Sequence, residues 1–206
     1  MKFEWRKQEK ELYLPKAKPM EITVPKQKFY TISGAGDPNR AQFGEETAAL
    51  YAMSYGIRMM PKKGITPEGY FEYTVYPLEG IWTLSEEAIA AGREFSKEDL
   101  VYKIMIRQPD FVTEELALSN LEKIAQTKPN PHNPNVKFET IEDGKCVQML
   151  HVGSYDDEFK TFEVMKQYCE EHELVRTTFA HKEIYLSDPR KVAPEKMKTV
   201  LRYFVE

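Results

Sequence analysis

Cysteine is scarce in this chain of 206 residues, with only Cys146 and Cys169 present. They are too few and too far apart for a zinc ligand set or a CxxC redox pair. A disulfide between them is disfavoured in a chain that reads as cytosolic. His132, His151, His172 and His181 show no HExxH or comparable ligand spacing, so neither a metal nor a cofactor is expected. No apolar run approaches the roughly 20 residues of a membrane helix. Charge follows Met1-Lys2-Phe3-Glu4 where a signal peptide would place its apolar core. These absences point to a cytoplasmic protein that makes no use of the membrane. Basic charge is not in excess either: the net charge is −4, which argues against general nucleic-acid binding.

Two motifs are incomplete. Gly34-x-Gly36 lacks the third glycine of GxGxxG and any following GK[ST], so tight-turn chemistry accounts for it. "HVGSYDD" lacks the glycine two residues beyond Ser154 that a G-x-S-x-G nucleophile elbow requires. What is present is a globular composition, 41% hydrophobic, 30% charged and 12% aromatic. The length suits one large domain or two small ones.

Residues 1–28 are charged and punctuated by Pro15, Pro19 and Pro25, and read as a frayed helix followed by an arm packed on the domain. "KFYTISGAGDPN" reads as a strand that ends in turn formers. From Glu45 to Met60 the spacing of Ala49, Met53, Ile57 and Met60 predicts a helix. Strands are predicted at 70–76 and 101–106, with a short helical piece begun by Ser85 between them. Thr113, Glu114 and Glu115 open another helix, whose apolar face is read as Leu118, Leu121 and Ala125. "TKPNPHNPN" is a connector. The second half repeats the pattern: "KCVQMLHVGSYDDE" predicts a strand and turn. A helix over 157–172 follows, with Phe159, Phe162, Met165 and Cys169 on one stripe, and "HKEIYL" and "TVLRYFV" predict two strands.

Each half therefore reads strand, helix, strand, strand, and "TVYPLEG" can be laid over "EIYLSDP". Long-period self-similarity of this kind indicates duplication of one supersecondary unit. The expected fold is α+β, with two pseudo-symmetric repeats forming an antiparallel sheet, helices on one face and a ligand cleft on the other. Repeat one covers about 29–107, a helix and connector 108–136, and repeat two about 137–206, in a single domain over 29–206.

Alternation within "HKEIYLSDPR" puts Ile184 and Leu186 on one face and His181, Glu183 and Tyr185 on the other. With Ile184 toward the helices, Glu183, Tyr185 and Tyr76 fall on the free side of the sheet, where large aromatics suggest a groove. The bland reading of Glu183 is a solvated acid paired with Lys182 or Lys103, and that of Tyr76 and Tyr185 is sheet packing. Trp82 reads as a loop anchor or a ligand contact, and His151 and His181 are site candidates by position only, with a surface role as the bland reading. Asp156, Asp157 and Glu158 resemble a metal cluster, but their place at a helix start is explained by the helix dipole.

Six blocks in this order, "SGAGDPN", "YPLEGIW", "MIRQPDFV", "CVQMLHVGSYDDE", "HKEIYLSDPR" and "KTVLRYFV", resemble the stand-alone GyrI-like small-molecule-binding proteins. The resemblance runs from about Met20 to Glu206. It implies an α+β fold with a ligand cleft between two repeats. It also implies either drug sensing, as in effector domains of transcription regulators, or hydrolysis of cyclopropane-bearing DNA-alkylating compounds. The resemblance carries the site glutamate onto Glu183 and the tyrosine of the same motif onto Tyr185. Trp82 corresponds to a tryptophan at the cleft; Tyr76 and His181, placed by strand alternation and position and not by the resemblance, complete the expected substrate contacts. A 28-residue arm is too short for a helix-turn-helix module, which counts against a transcription-factor role.

A carboxylate in an aromatic cleft can pair with a cationic aromatic ligand or take a proton from water. Water activated by Glu183 could open a strained cyclopropane fused to a dienone, with Tyr185 supporting the oxygen that becomes phenolate. Three readings stay open: a hydrolase of such compounds, a drug-sequestering protein, and an inhibitor of another protein, as some relatives are of topoisomerase. The ligand in the first two is a small aromatic molecule. The oligomeric state is not legible.

Overall fold

Apolar and β-branched runs make the strands of this chain, and proline or glycine ends them. The computed structural model describes residues 2–92 and 96–206. The elements are, in order, α1 (Trp5–Gln8), α2 (Lys10–Tyr13), β1 (Met20–Ala35), α3 (Ala41–Arg58), β2 (Leu78–Leu84), α4 (Glu86–Ala91), β3 (Leu100–Gln108), α5 (Glu114–Thr127), β4 (Lys137–Val152), α6 (Glu158–Glu171), β5 (Arg176–Tyr185) and β6 (Lys198–Val205). The class is α+β with antiparallel strand pairing, as expected. The order β1-α3-β2-β3 is repeated as β4-α6-β5-β6. The chain divides into two compact units, Met1–Glu4 with Gln27–Leu78 and Leu84–Ile141, and Trp5–Lys26 with Glu79–Thr83 and Glu142–Glu206.

In the first unit β1 pairs with β3 from Lys28↔Gln108 to Ala35↔Val101. Helix α3 buries Ala49, Leu50, Met53 and Ile57 completely, close to the predicted stripe. Its Gly56 makes room for α5, since a Cβ there would collide with Asn120 Oδ1. Thr113 caps α5 by accepting from Leu116 N at 3.2 Å. The buried face of α5 is Ala117, Asn120 and Ile124, one residue out of step with the predicted face, and Leu118 is exposed. Asn120 tolerates burial because its amide donates to Tyr30 Oη and Met53 O.

The strand predicted at 70–76 does not form. Tyr73 makes a lone parallel bridge to Phe3, while Tyr70, Phe71 and Tyr73 each pack edge to face with Phe111. Aromatic packing there takes the place of a ladder, and β2 begins only at Leu78, after Pro77. Tyr76 therefore precedes the strand, whereas Tyr185 ends one.

The second unit is built on strands in the order β2-β5-β6-β4. The register sets Gly80 opposite Glu183, Trp82 opposite His181, and Glu183 opposite Leu201. With side chains alternating, one face carries Gly80, Trp82, His181, Glu183, Tyr185, Thr199, Leu201 and Tyr203. Helix α6 lies on this face: Met165 and Cys169 join Val147, Leu201, Tyr203 and Val205 in a core, with Phe162 packed against it. Glu183 is thus on the helix-covered side, and the expectation that it faces away from the helices is corrected.

The opposite face holds a buried ionic network. Lys182 lies 2.8 Å from Asp143 and 3.1 Å from Glu79, and Arg202 lies 3.1 Å from Asp143. Arg202 also donates to Gln148 Oε1 and to Leu12 O of α2, and Gln148 donates to Glu11 O. Burial would raise Asp143, but Lys182 and Arg202 outweigh it and hold its carboxyl below the usual range. Lys182 is therefore spent on this network and Lys103 pairs with Glu139, which answers the solvated-pair reading of Glu183.

Candidate functional site

The centre of the site is the Glu183 carboxylate, which is buried with a small exposed fraction of 9%. Tyr185, two residues on and so on the same face, donates its hydroxyl to Glu183 Oε2 at 2.8 Å. Trp82, across the β2–β5 ladder, donates Nε1–H to the same Tyr185 oxygen at 2.7 Å. The indole lies over Gly80: a Cβ at that position would stand 2.6 Å from Trp82 Nε1. Glycine inside a strand marks close approach of this kind. On the other side, His181 Nε2 is 2.9 Å from Glu183 Oε1 and donates when that nitrogen carries the proton. The His181 ring stands edge-on to Phe162 of α6 at 4.6 Å, which holds the imidazole in place.

A second carboxyl meets Glu183. Glu158, the first residue of α6, is buried on the stripe that continues through Thr161, Met165 and Cys169. Burial, the Glu183 charge and a hydrogen bond to Glu183 push the Glu158 carboxyl up to about 10. Near neutral pH it therefore keeps its proton and donates, because two adjacent carboxyls in a dry site cannot both ionise. Tyr155 closes one side, edge-on to Tyr185 at 5.9 Å. Burial, then the charges of Glu158 and Glu183, push its hydroxyl up to about 12. Tyr185 is raised further by burial and by its bond to Glu183, so its phenol stays a donor.

Of the expected residues, Glu183, Tyr185, Trp82 and His181 form one hydrogen-bonded chain. Tyr76 is buried in the first unit, with the Arg107 guanidinium over its ring at 4.7 Å. His181 is a partner of Glu183 rather than a plain surface group. His151 is buried, joined to Thr161 and to Ser154 O. Glu158, Tyr155 and Gly80 were missed as site residues. Dipole chemistry at the helix start does describe Asp157, which bonds Ser154 and Lys160, but Glu158 points inward. The signal for Glu158 was its helical spacing from Thr161 and Met165. Among the described residues no cluster of His, Cys, Asp or Glu is arranged to hold a metal ion.

Beside His181 lies a groove of about 320 Å³ lined by aromatic and charged side chains of α6, β5 and β6. No described helix is long and apolar enough to cross a membrane.

An α+β fold with a carboxylate held among aromatic rings and hydrogen-bond donors defines a small-molecule-binding protein. The chain belongs to the family of GyrI-like small molecule binding domains, which it matches over residues 17–203. It is similar in structure to a hydrolase from Listeria innocua, at 38% identity over 100% of both chains and a TM-score of 0.88. It is likewise similar to an uncharacterized conserved protein from Listeria innocua, at 39% identity over 100% of both chains and a TM-score of 0.90. The EcmrR C-terminal domain shares the fold at 12% identity, over 92% of this chain and 97% of that one, with a TM-score of 0.53. No curated protein matches the chain at a significant level.

Proposed function

We propose that this chain hydrolyses cyclopropane-bearing, DNA-alkylating small molecules, with Glu183 as the base that activates water. The observation that carries the reading is the Glu183 carboxylate itself, oriented by Tyr185 and His181 and set beside a Glu158 that keeps its proton. Glu183 takes a proton from water, and the water oxygen bonds to the cyclopropane methylene carbon. The bond from that carbon to the ring carbon breaks, and its electron pair moves through the dienone to the carbonyl oxygen. The resulting phenolate takes a proton from solvent, and Glu183 returns its own to solvent. One water is added, nothing is oxidised or reduced, and no covalent intermediate with the protein forms.

Tyr185 uses its proton on Glu183, so its part here is to hold the carboxylate, with Trp82 fixing the phenol in turn. A neutral Glu158 keeps the pair at a single negative charge. General base catalysis supplies about 10²–10⁴-fold, enough for a substrate that is already strained. The hydrolase from Listeria innocua at 38% identity supports the reaction class. A passive drug-binding role is the second reading, favoured by the fact that both Glu183 oxygens already accept hydrogen bonds, which suits a fixed counter-charge.

The test is loss of dienone absorbance with a cyclopropane-containing duocarmycin-type compound in excess over protein. Many equivalents should be consumed by the wild type, and Glu183→Gln should reduce the rate to background. Consumption that stops at one equivalent supports sequestration and ends the hydrolytic reading.

A further inference from the structure

The exposed end of β5 carries the largest apolar exposure in this unit: Phe179 is 81% exposed, and across from it Phe159 of α6 is 64% exposed. Neither lies on a buried stripe. Rings held in water to this extent mark a surface built to be covered. The element that presents Phe179 is a bulge in β5 between Arg176 and His181, where the register with β6 shifts. Arg176 pins that bulge by donating to Phe179 O at 2.8 Å and Ala180 O at 3.1 Å. Its guanidinium in turn lies over the Tyr203 ring at 3.7 Å, and Tyr203 stacks on Phe162 at 5.4 Å. The result is a groove of about 320 Å³ with Phe159, Phe162, Phe179 and Tyr203 as its aromatic walls. This volume suits a small ligand rather than a peptide or a protein face.

Charge decides which ligand. Lys166, Arg176 and Glu163 also line the groove, and Glu163 lies 3.9 Å from Lys166, where the two offset each other. That leaves the Arg176 charge in excess on a wall of rings. Its guanidinium donates only to the two backbone carbonyls and makes no ion pair among the described residues, so its charge on the groove wall is not neutralised. An anionic ligand answers that charge, whereas a cation would meet Arg176 with like charge. We propose that this groove binds flat aromatic anions, with rings between Phe159 and Phe179 and a carboxylate or sulfonate toward Arg176. The proposal rests on the hydrolytic reading in one respect: His181 walls the groove and also holds Glu183, so the groove seats the aromatic arm of a substrate beside the carboxylate.

Calorimetric titration of the full chain with naphthalene-2-carboxylate and with naphthalen-2-ylmethylammonium compares two probes of one shape and opposite charge. Saturable binding of one carboxylate is expected, with the ammonium at least about tenfold weaker. Phe179→Ser removes an exposed ring without touching the core and should weaken the carboxylate about three- to tenfold. Lys166→Glu should do so by about tenfold. Equal binding of both probes, no binding, or binding unmoved by these substitutions overturns the proposal. Glu183→Gln separates the two claims. It should remove turnover while leaving carboxylate binding undiminished, because it takes away a negative charge beside a wall of the groove, and abolished binding would overturn the groove proposal. Normal probe binding without turnover in the wild type leaves the groove standing and removes the hydrolytic reading.

Discussion

Glu158→Gln tests the carboxyl pair without changing the shape of the side chain. In the folded protein Glu158 is pushed up to about 10 by burial and by Glu183, whereas in the unfolded chain it titrates at its ordinary value of 4.5. Between those two values the native state holds a proton that the unfolded state has released. The stability contributed by this proton is therefore complete below the unfolded pKa and is lost progressively as pH rises toward the folded one. One proton of difference corresponds to a slope of about 1.4 kcal/mol per pH unit. From pH 6 to pH 8 the wild type should thus lose about 3 kcal/mol that Glu158→Gln does not lose. Every other titrating group is shared and cancels in the comparison. For a domain of this size about 3 kcal/mol corresponds to roughly 6–12 °C in Tm. The assay is thermal unfolding of both proteins at half-unit steps over this range. The variant's Tm should gain steadily on the wild type as pH rises. Parallel curves, with a constant gap, would falsify a buried, protonated Glu158.

Gly80→Ala should push the Trp82 indole off Tyr185, because the new methyl would stand 2.6 Å from Nε1. The carboxylate then loses its alignment, and turnover should fall on the order of 10- to 100-fold. A red shift of tryptophan emission with unchanged far-ultraviolet circular dichroism identifies the local cause, and unchanged emission counts against it. Asp143→Asn leaves Lys182 and Arg202 buried with Glu79 as the acid facing Lys182. Loss of about 3–5 kcal/mol is expected, seen as a lower urea midpoint with the slope unchanged. A shift below about 1 kcal/mol would mean that the network is not structurally important.

The strand runs around Tyr30, Ile104, Val147 and Val200, the Thr113 cap and the doubled strand-helix-strand-strand order could be read along the chain. Each depends on local propensity and short spacing, and, except that the first repeat reaches its order with a strand at Leu78–Leu84 in place of the one read at 70–76, they formed. So did the grouping of His181, Glu183 and Tyr185 on one face, which follows from the two-residue period of a strand. The misplaced face of α5 and the one misplaced residue of the α6 stripe, Phe159, failed for one reason. The buried stripe of each contains a polar residue, Asn120 in one and Glu158 in the other. A count of apolar positions passes over such residues and settles on the neighbouring Leu118 or Phe159. Burial of Asn120 is possible because Tyr30 and Met53 answer its amide, and burial of Glu158 because it keeps a proton beside Glu183. Those partners are 90 and 67 residues away for Asn120, and their approach is a property of packing.

The sequence by itself determined which residues could share a strand face and where helices begin, since backbone geometry and capping act within a few residues. Only the tertiary structure decided which face α6 would cover, that Gly80 would admit the Trp82 indole, and that a second carboxyl would meet Glu183. Those outcomes depend on the electrostatics and close contacts of groups that meet only when the chain is folded.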